Sequence, residues 1–145
     1  PAAGPLSFMS WGGRAEEGHL ERIKCIKNKQ LPVDIYWMDA GWFAPESLNE
    51  FGPEWSTNVG DWDFDANSFP QELCNIAQAT RKSEKKLLLW FEPERVRTHC
   101  NLAKVHPDYL IFNDSENALL DLGNPEAWQW CFDKISGIIE RNQFD

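Results

Sequence analysis

The 145 residues suffice for one modest domain with a core, 42% of them are hydrophobic, and the formal net charge is -9. Lysine and arginine form no run, which argues against nucleic acid and anionic membrane as partners, because both select clustered basic side chains. No apolar run approaches the roughly 20 residues of a membrane span.

Residues 5–11, PLSFMSW, read as a short strand ended by Gly12 and Gly13. Residues 15–30 read as a helix with Leu20, Ile23 and Ile26 or Lys27 near one face, acids early and bases late, as the helix dipole favours. Residues 33–39, VDIYWMD, are β-branched and aromatic and predict a second strand. A long loop over 40–69 carries glycines, prolines and GDWDFD. A second helix is predicted over 70–86, with Leu73, Ile76, Ala77 and Thr80 inward. Residues 87–92, LLLWFE, form a continuous apolar run, the mark of a strand buried on both faces. NALLDL, 117–122, adds a short extended piece. Asn124 is a ready N-cap, Pro125 suits the first helical position, and Glu126 follows in the first turn. Trp128, Cys131, Phe132, Ile135 and Ile139 then trace one apolar stripe.

Alternating strands and helices predict right-handed βαβ units on a parallel sheet. GxGxxG and GxxxxGK[ST] are absent, so nucleotide-binding versions lose support. Long loops after the strands, carrying the unusual residues, suit a (β/α)8 barrel, whose site lies at the strand C-termini. A whole barrel needs about 250 residues, so residues 1–145 are expected to hold its first three βα units, with no second domain.

Cys25, Cys74, Cys100 and Cys131 form no CxxC or Cys/His cluster, so no metal site is expected. Buried thiols are expected ahead of disulfides, which favours a reducing, cytoplasmic compartment. Eight tryptophans are the compositional outlier. Trp37 and Trp128 read as core, whereas Trp11, Trp42, Trp62 and Trp90 stand at strand ends or in loops. Flat aromatic faces beside carboxylates suit sugar recognition.

Trp11, Asp39 and Glu92 with Glu94 end the three predicted strands, and on a barrel these ends converge. Alternation puts Glu92 and Glu94 on one side, Pro93 ends the ladder, and Arg95 is placed to neutralise a carboxylate. Plainer roles compete: Glu94 with Arg95 or Arg97 seals a rim, Asp39 makes a turn, Asp61 caps a turn, and His106 packs. A retaining glycosidase needs two carboxylates about 5 Å apart across the sugar.

WMDAGWF, VGDWDFDANSFP, LLLWFEPERV, HPDYLI and LLDLGNPEAW occur in this order. Together they resemble the melibiase-type glycoside hydrolases, the microbial α-galactosidase family, over about residues 5–145. The resemblance implies a (β/α)8 catalytic barrel that cleaves terminal α-linked galactose with retention, through two carboxylates and no metal or cofactor. It implies that Asp39 takes galactose hydroxyls, that Trp11 and Trp90 line the pocket, and that Glu92 and Glu94 support the rim. By their place in the sequence, Trp42, Asp61 and Trp62 are further candidates for substrate binding, and Arg95 is a candidate for the rim. It places the nucleophile and the acid/base aspartate beyond residue 145, so the chain alone is expected to be inactive. The expected partner is an α-galactoside, and the parent protein is a candidate homo-oligomer. Two departures stand out. Ala40 replaces the second aspartate of an Asp-Asp-Gly-Trp motif, and Ser115 and Glu116 stand near a missing arginine. An α-N-acetylgalactosaminidase on the same barrel and a non-catalytic sugar-binding module are the alternatives.

Overall fold

In the computed structural model residues 4–10, 15–43 and 54–143 are described. The apolar runs form the strands β1 (Ser7–Ser10), β2 (Ile35–Met38) and, after a short extended segment β3 (Pro70–Leu73), β4 (Lys86–Leu89). Three of them make a parallel sheet in the order β1-β2-β4, with Ser7 opposite Ile35 and Ile35 opposite Lys86. Helix α1 (Glu16–Asn28) links β1 to β2, and α3 (Cys74–Lys82) leads into β4. A single turn, α2 (Glu54–Thr57), lies in the loop between.

Helices α1 and α3 lie side by side in the same direction. Asn75 Nδ2 donates to Glu16 Oε1 at 3.0 Å near their starts, and Lys27 Nζ donates to the Lys82 carbonyl at 3.1 Å near their ends. Tyr36, Met38, Leu87 and Leu89 meet Ile23, Ile26, Ile76 and Ala77 in one buried cluster. Each buried leucine, isoleucine or methionine here stabilises by about 1.5–3 kcal/mol, more than helix propensity supplies. His19 joins this layer beside the partly buried Leu20, its Nδ1 2.9 Å from the buried Tyr36 hydroxyl.

The helix expected over 70–86 is shorter. Glu72 takes a left-handed backbone, φ 49°, which breaks the helical path before Cys74. The buried amide of Asn142 accepts from Leu73 N–H at 2.7 Å and donates to Glu72 Oε2 at 2.8 Å, holding that corner. The third expected strand is also shorter, ending at Leu89, although Trp90 N–H still donates to the Met38 carbonyl at 2.9 Å.

A second sheet follows that the sequence reading reduced to one extended piece. Strands β5 (Arg95–Arg97), β6 (Leu110–Phe112) and β7 (Asn117–Leu120) pair antiparallel in the order β5-β7-β6. Its inner face, Val96, Ala118, Leu110 and Leu120, closes on Leu102 of α4 (Asn101–Val105) and on Ala127 and Cys131 of α5 (Pro125–Asn142). A 3-10 turn at Pro107–Tyr109 stacks the His106 and Tyr109 rings with centroids 4.4 Å apart, the packing role expected for His106.

Asn124 caps α5, accepting from Glu126 N–H at 3.0 Å, with Pro125 in the first turn. The buried face of α5 is not the expected stripe. Ala127, Cys131, Ile138 and Asn142 turn inward, while Trp128, Phe132 and Ile139 are exposed and the first two rings stack on each other at 5.3 Å. Apolar residues cover more than one side of this helix, and the short antiparallel sheet engages only one of them. All four cysteines are free; Cys100 and Cys131 are buried, whereas Cys25 and Cys74 are exposed, contrary to expectation. No helix among the described residues is long and apolar enough to cross a membrane.

Candidate functional site

Parallel register brings the C-terminal ends of β1, β2 and β4 to one edge of the sheet. Met38 is level with Leu89, so Asp39 stands level with Trp90. Asp39 is buried, 8% exposed, and its Oδ1 accepts the Ala40 N–H at 2.9 Å. Its other carboxylate oxygen accepts no hydrogen bond among the described residues. Gly41 follows at φ 113°, a conformation that a side chain would strain.

Trp90 is half-buried, and its carbonyl accepts from Trp42 Nε1 at 3.0 Å. Its ring meets Phe43, Trp55 and Trp62 with centroids 6.4, 5.8 and 6.0 Å away. Glu92 pairs with Arg95 at 2.5 Å, and the Arg95 guanidinium lies 5.3 Å from the Trp55 ring centre. A cation over an indole face is held by the ring quadrupole. Trp55 is the aromatic contact that the sequence reading left unassigned; its position in the long loop was the available signal.

The structure corrects several expectations. Trp42 and Trp62 are 1% and 2% exposed and lie in the core, packed on each other and on Phe91. Indoles this well covered by other rings offer no open face to a sugar. Trp62 reaches this position through a left-handed backbone, φ 55°. Asp61 is a cap: its two oxygens each accept at 2.8 Å, from the backbone N–H of Asn101 and of Leu102, at the start of α4. Glu94 is exposed and its carbonyl accepts from Leu120 N–H at 2.8 Å, so Glu92 and Glu94 do not act as a pair. Arg97 turns instead to Glu116 at 3.0 Å and to Asn117 Oδ1 at 2.6 Å. Trp11 lies outside the described residues. The site thus brings together Asp39, Trp90, Glu92 and Arg95 with Trp55.

Burial, and then the negative charge of Asp61, push the Cys100 thiol up to about 11, so it stays protonated and inert near neutrality. Among the described residues no group of three His, Cys, Asp or Glu is placed to hold a metal ion.

The sequence model of the Melibiase family matches residues 5–145. Alpha-galactosidase Mel36A of Lactobacillus acidophilus is 27% identical over 97% of this chain and 20% of its own length. Alpha-galactosidase 1 of Pediococcus pentosaceus is 29% identical over the same shares, 97% and 20%. The crystal structure of an alpha-galactosidase from Lactobacillus brevis superimposes with a TM-score of 0.77 at 27% identity, covering 99% of this chain and 20% of that one. The chain therefore spans about a fifth of the length of the relatives it matches.

Proposed function

Because the chain belongs to the Melibiase family, we propose that it is part of the (β/α)8 catalytic barrel of a retaining α-galactosidase. The carrying observation is Asp39: a buried carboxylate at a strand end, level with Trp90 and with one oxygen free of partners among the described residues. A carboxylate so placed accepts hydrogen bonds from sugar hydroxyls, while the half-buried Trp90 offers ring surface to the pyranose. Glu92 and Arg95 neutralise one another beside them and shape the rim. Trp11 keeps its place in this reading as a pocket residue at the end of the first strand.

The barrel reading is supported by the three parallel strands in consecutive order and by the far edge of β4. An apolar cavity of about 300 Å³ runs along that edge, lined by Leu87, Leu88, Leu89, Phe91, Ile135 and Ile139. A further parallel strand beside β4 fills it. In this reading the nucleophile and the acid/base aspartate belong to chain outside residues 1–145. Hydrolysis runs through a glycosyl-enzyme intermediate, one carboxylic acid protonating the leaving oxygen and then activating water. The substrate is a terminal α-galactoside of an oligosaccharide or glycoconjugate.

A second reading is an α-N-acetylgalactosaminidase. Ala40, beside Asp39, has a smaller side chain than the aspartate the resemblance calls for, and the space released suits a bulkier substituent.

The test is a panel of nitrophenyl glycosides on the full-length protein. Turnover of the α-galactoside is expected, and Asp39→Asn lowers kcat/KM by roughly 100-fold or more with an unchanged circular dichroism spectrum. Preference for the N-acetylgalactosaminide establishes the second reading. Binding without turnover on any substrate identifies a non-catalytic module. Unaltered kinetics in Asp39→Asn removes Asp39 from the site.

A further inference from the structure

The loop that carries GDWD touches the strand-end site only through the Trp62 ring, yet it does not simply fill the core. Its outer side lines a separate cavity of about 290 Å³ with Phe43, Asn58, Asp61, Trp62, Asp63, His99, Asn101 and Lys104 among its walls. That volume is at the small end for ligand sites, about 300 Å³ upward, and admits one compact unit.

The chemistry of the walls selects the class of occupant. Asp61 is engaged as the α4 cap, and Asp63 is paired with Lys134 at 2.5 Å. The side chains of His99, Asn101 and Lys104 have no hydrogen-bond or ion-pair partner among the described residues. Two carboxylates face one ammonium, an imidazole and two amides, so neither charge sign dominates. A phosphate would meet Asp63, and a metal ion would find no set of three ligands among the described residues. A neutral polyol both donates and accepts at each hydroxyl and suits a mixed set of this kind. Phe43 and Trp62, both buried, form only its apolar floor.

Those same two rings pack against Trp90, at 6.4 and 6.0 Å. The cavity is thus one ring layer from the strand-end site. We propose that it is an accessory saccharide pocket, taking a hexose unit of an oligosaccharide substrate through His99, Asn101 and Lys104. The proposal rests on the α-galactosidase reading for the identity of that oligosaccharide.

The probes are stachyose, which carries several sugar units, and nitrophenyl α-galactoside, which offers a single sugar. In the full-length protein, His99→Ala and Lys104→Ala are each expected to lower kcat/KM for stachyose about fivefold relative to the aryl galactoside, the effect of one lost hydrogen bond. Both side chains are exposed, so the variants are expected to fold. A selectivity ratio within twofold of wild type in both variants overturns the pocket. Calorimetric titration with stachyose separates the two ideas. If the wild type turns over neither substrate, the α-galactosidase reading fails. In that case weaker stachyose binding in the variants still supports the pocket, and wild-type binding overturns it.

Discussion

Asn142 is 1% exposed, and its side chain ties α5 to the β3–α3 corner. Its Oδ1 accepts from Leu73 N–H at 2.7 Å, and its Nδ2 donates to Glu72 Oε2 at 2.8 Å and to the Ile138 carbonyl at 2.9 Å. Asn142→Ala strips the acceptor from an N–H whose residue is itself fully buried. An orphaned buried donor costs about 1–3 kcal/mol, and the lost bond to a carboxylate adds about 1 kcal/mol after water replaces part of it. The expected local loss is about 3 kcal/mol, close to 100-fold in an opening equilibrium at 1.4 kcal/mol per decade. Native-state hydrogen exchange reads this directly at the Leu73 amide, without requiring the whole protein to unfold in one step. Asn142→Asp keeps an oxygen for Leu73 but sets a second carboxylate beside Glu72, so the Leu73 amide should lose less protection than in the alanine variant. An exchange rate changed by less than threefold in Asn142→Ala, or equal losses in both variants, refutes the assignment of Asn142 as the latch between α5 and the β3–α3 corner.

The Cys100 thiol, raised from 9.0 to about 11 chiefly by burial and then by Asp61, binds its proton more tightly folded than unfolded. Its contribution to stability is therefore complete below about pH 9 and declines as pH rises toward 11. Asp61→Asn should bring alkylation of Cys100 to lower pH, and an unshifted alkylation profile counts against the charge of Asp61 as a cause. Trp62, 2% exposed, should emit at short wavelength in a variant that retains it as the sole tryptophan. Long-wavelength emission would place Trp62 in contact with solvent and refute its burial.

Local chemistry determined much of this protein in advance. Asn124, Pro125 and Glu126 announce the start of α5 because capping is a contact among adjacent residues. The apolar runs around Tyr36 and Leu87 announce β2 and β4 for a similar reason, since burial on both faces leaves no place for polar alternation. Asp39 was legible as a strand-end carboxylate once those strands were placed. Contacts distant in the chain were not legible. Which stripe of α5 turns inward depends on what meets it: the β5-β7-β6 sheet buries Cys131 and the core of the parallel sheet buries Ile138, while Trp128 and Phe132 face out. Asp61 becomes a cap only because α4 begins 40 residues later within reach of its carboxylate. Trp42 and Trp62 become core because Phe43, Phe64, Phe91 and Trp90 close around them, and a loop sequence carries no trace of what will cover it. Asn142 is the extreme case: a polar residue near a helix end reads as solvated surface until Leu73 and Glu72, some 70 residues earlier, are folded against it.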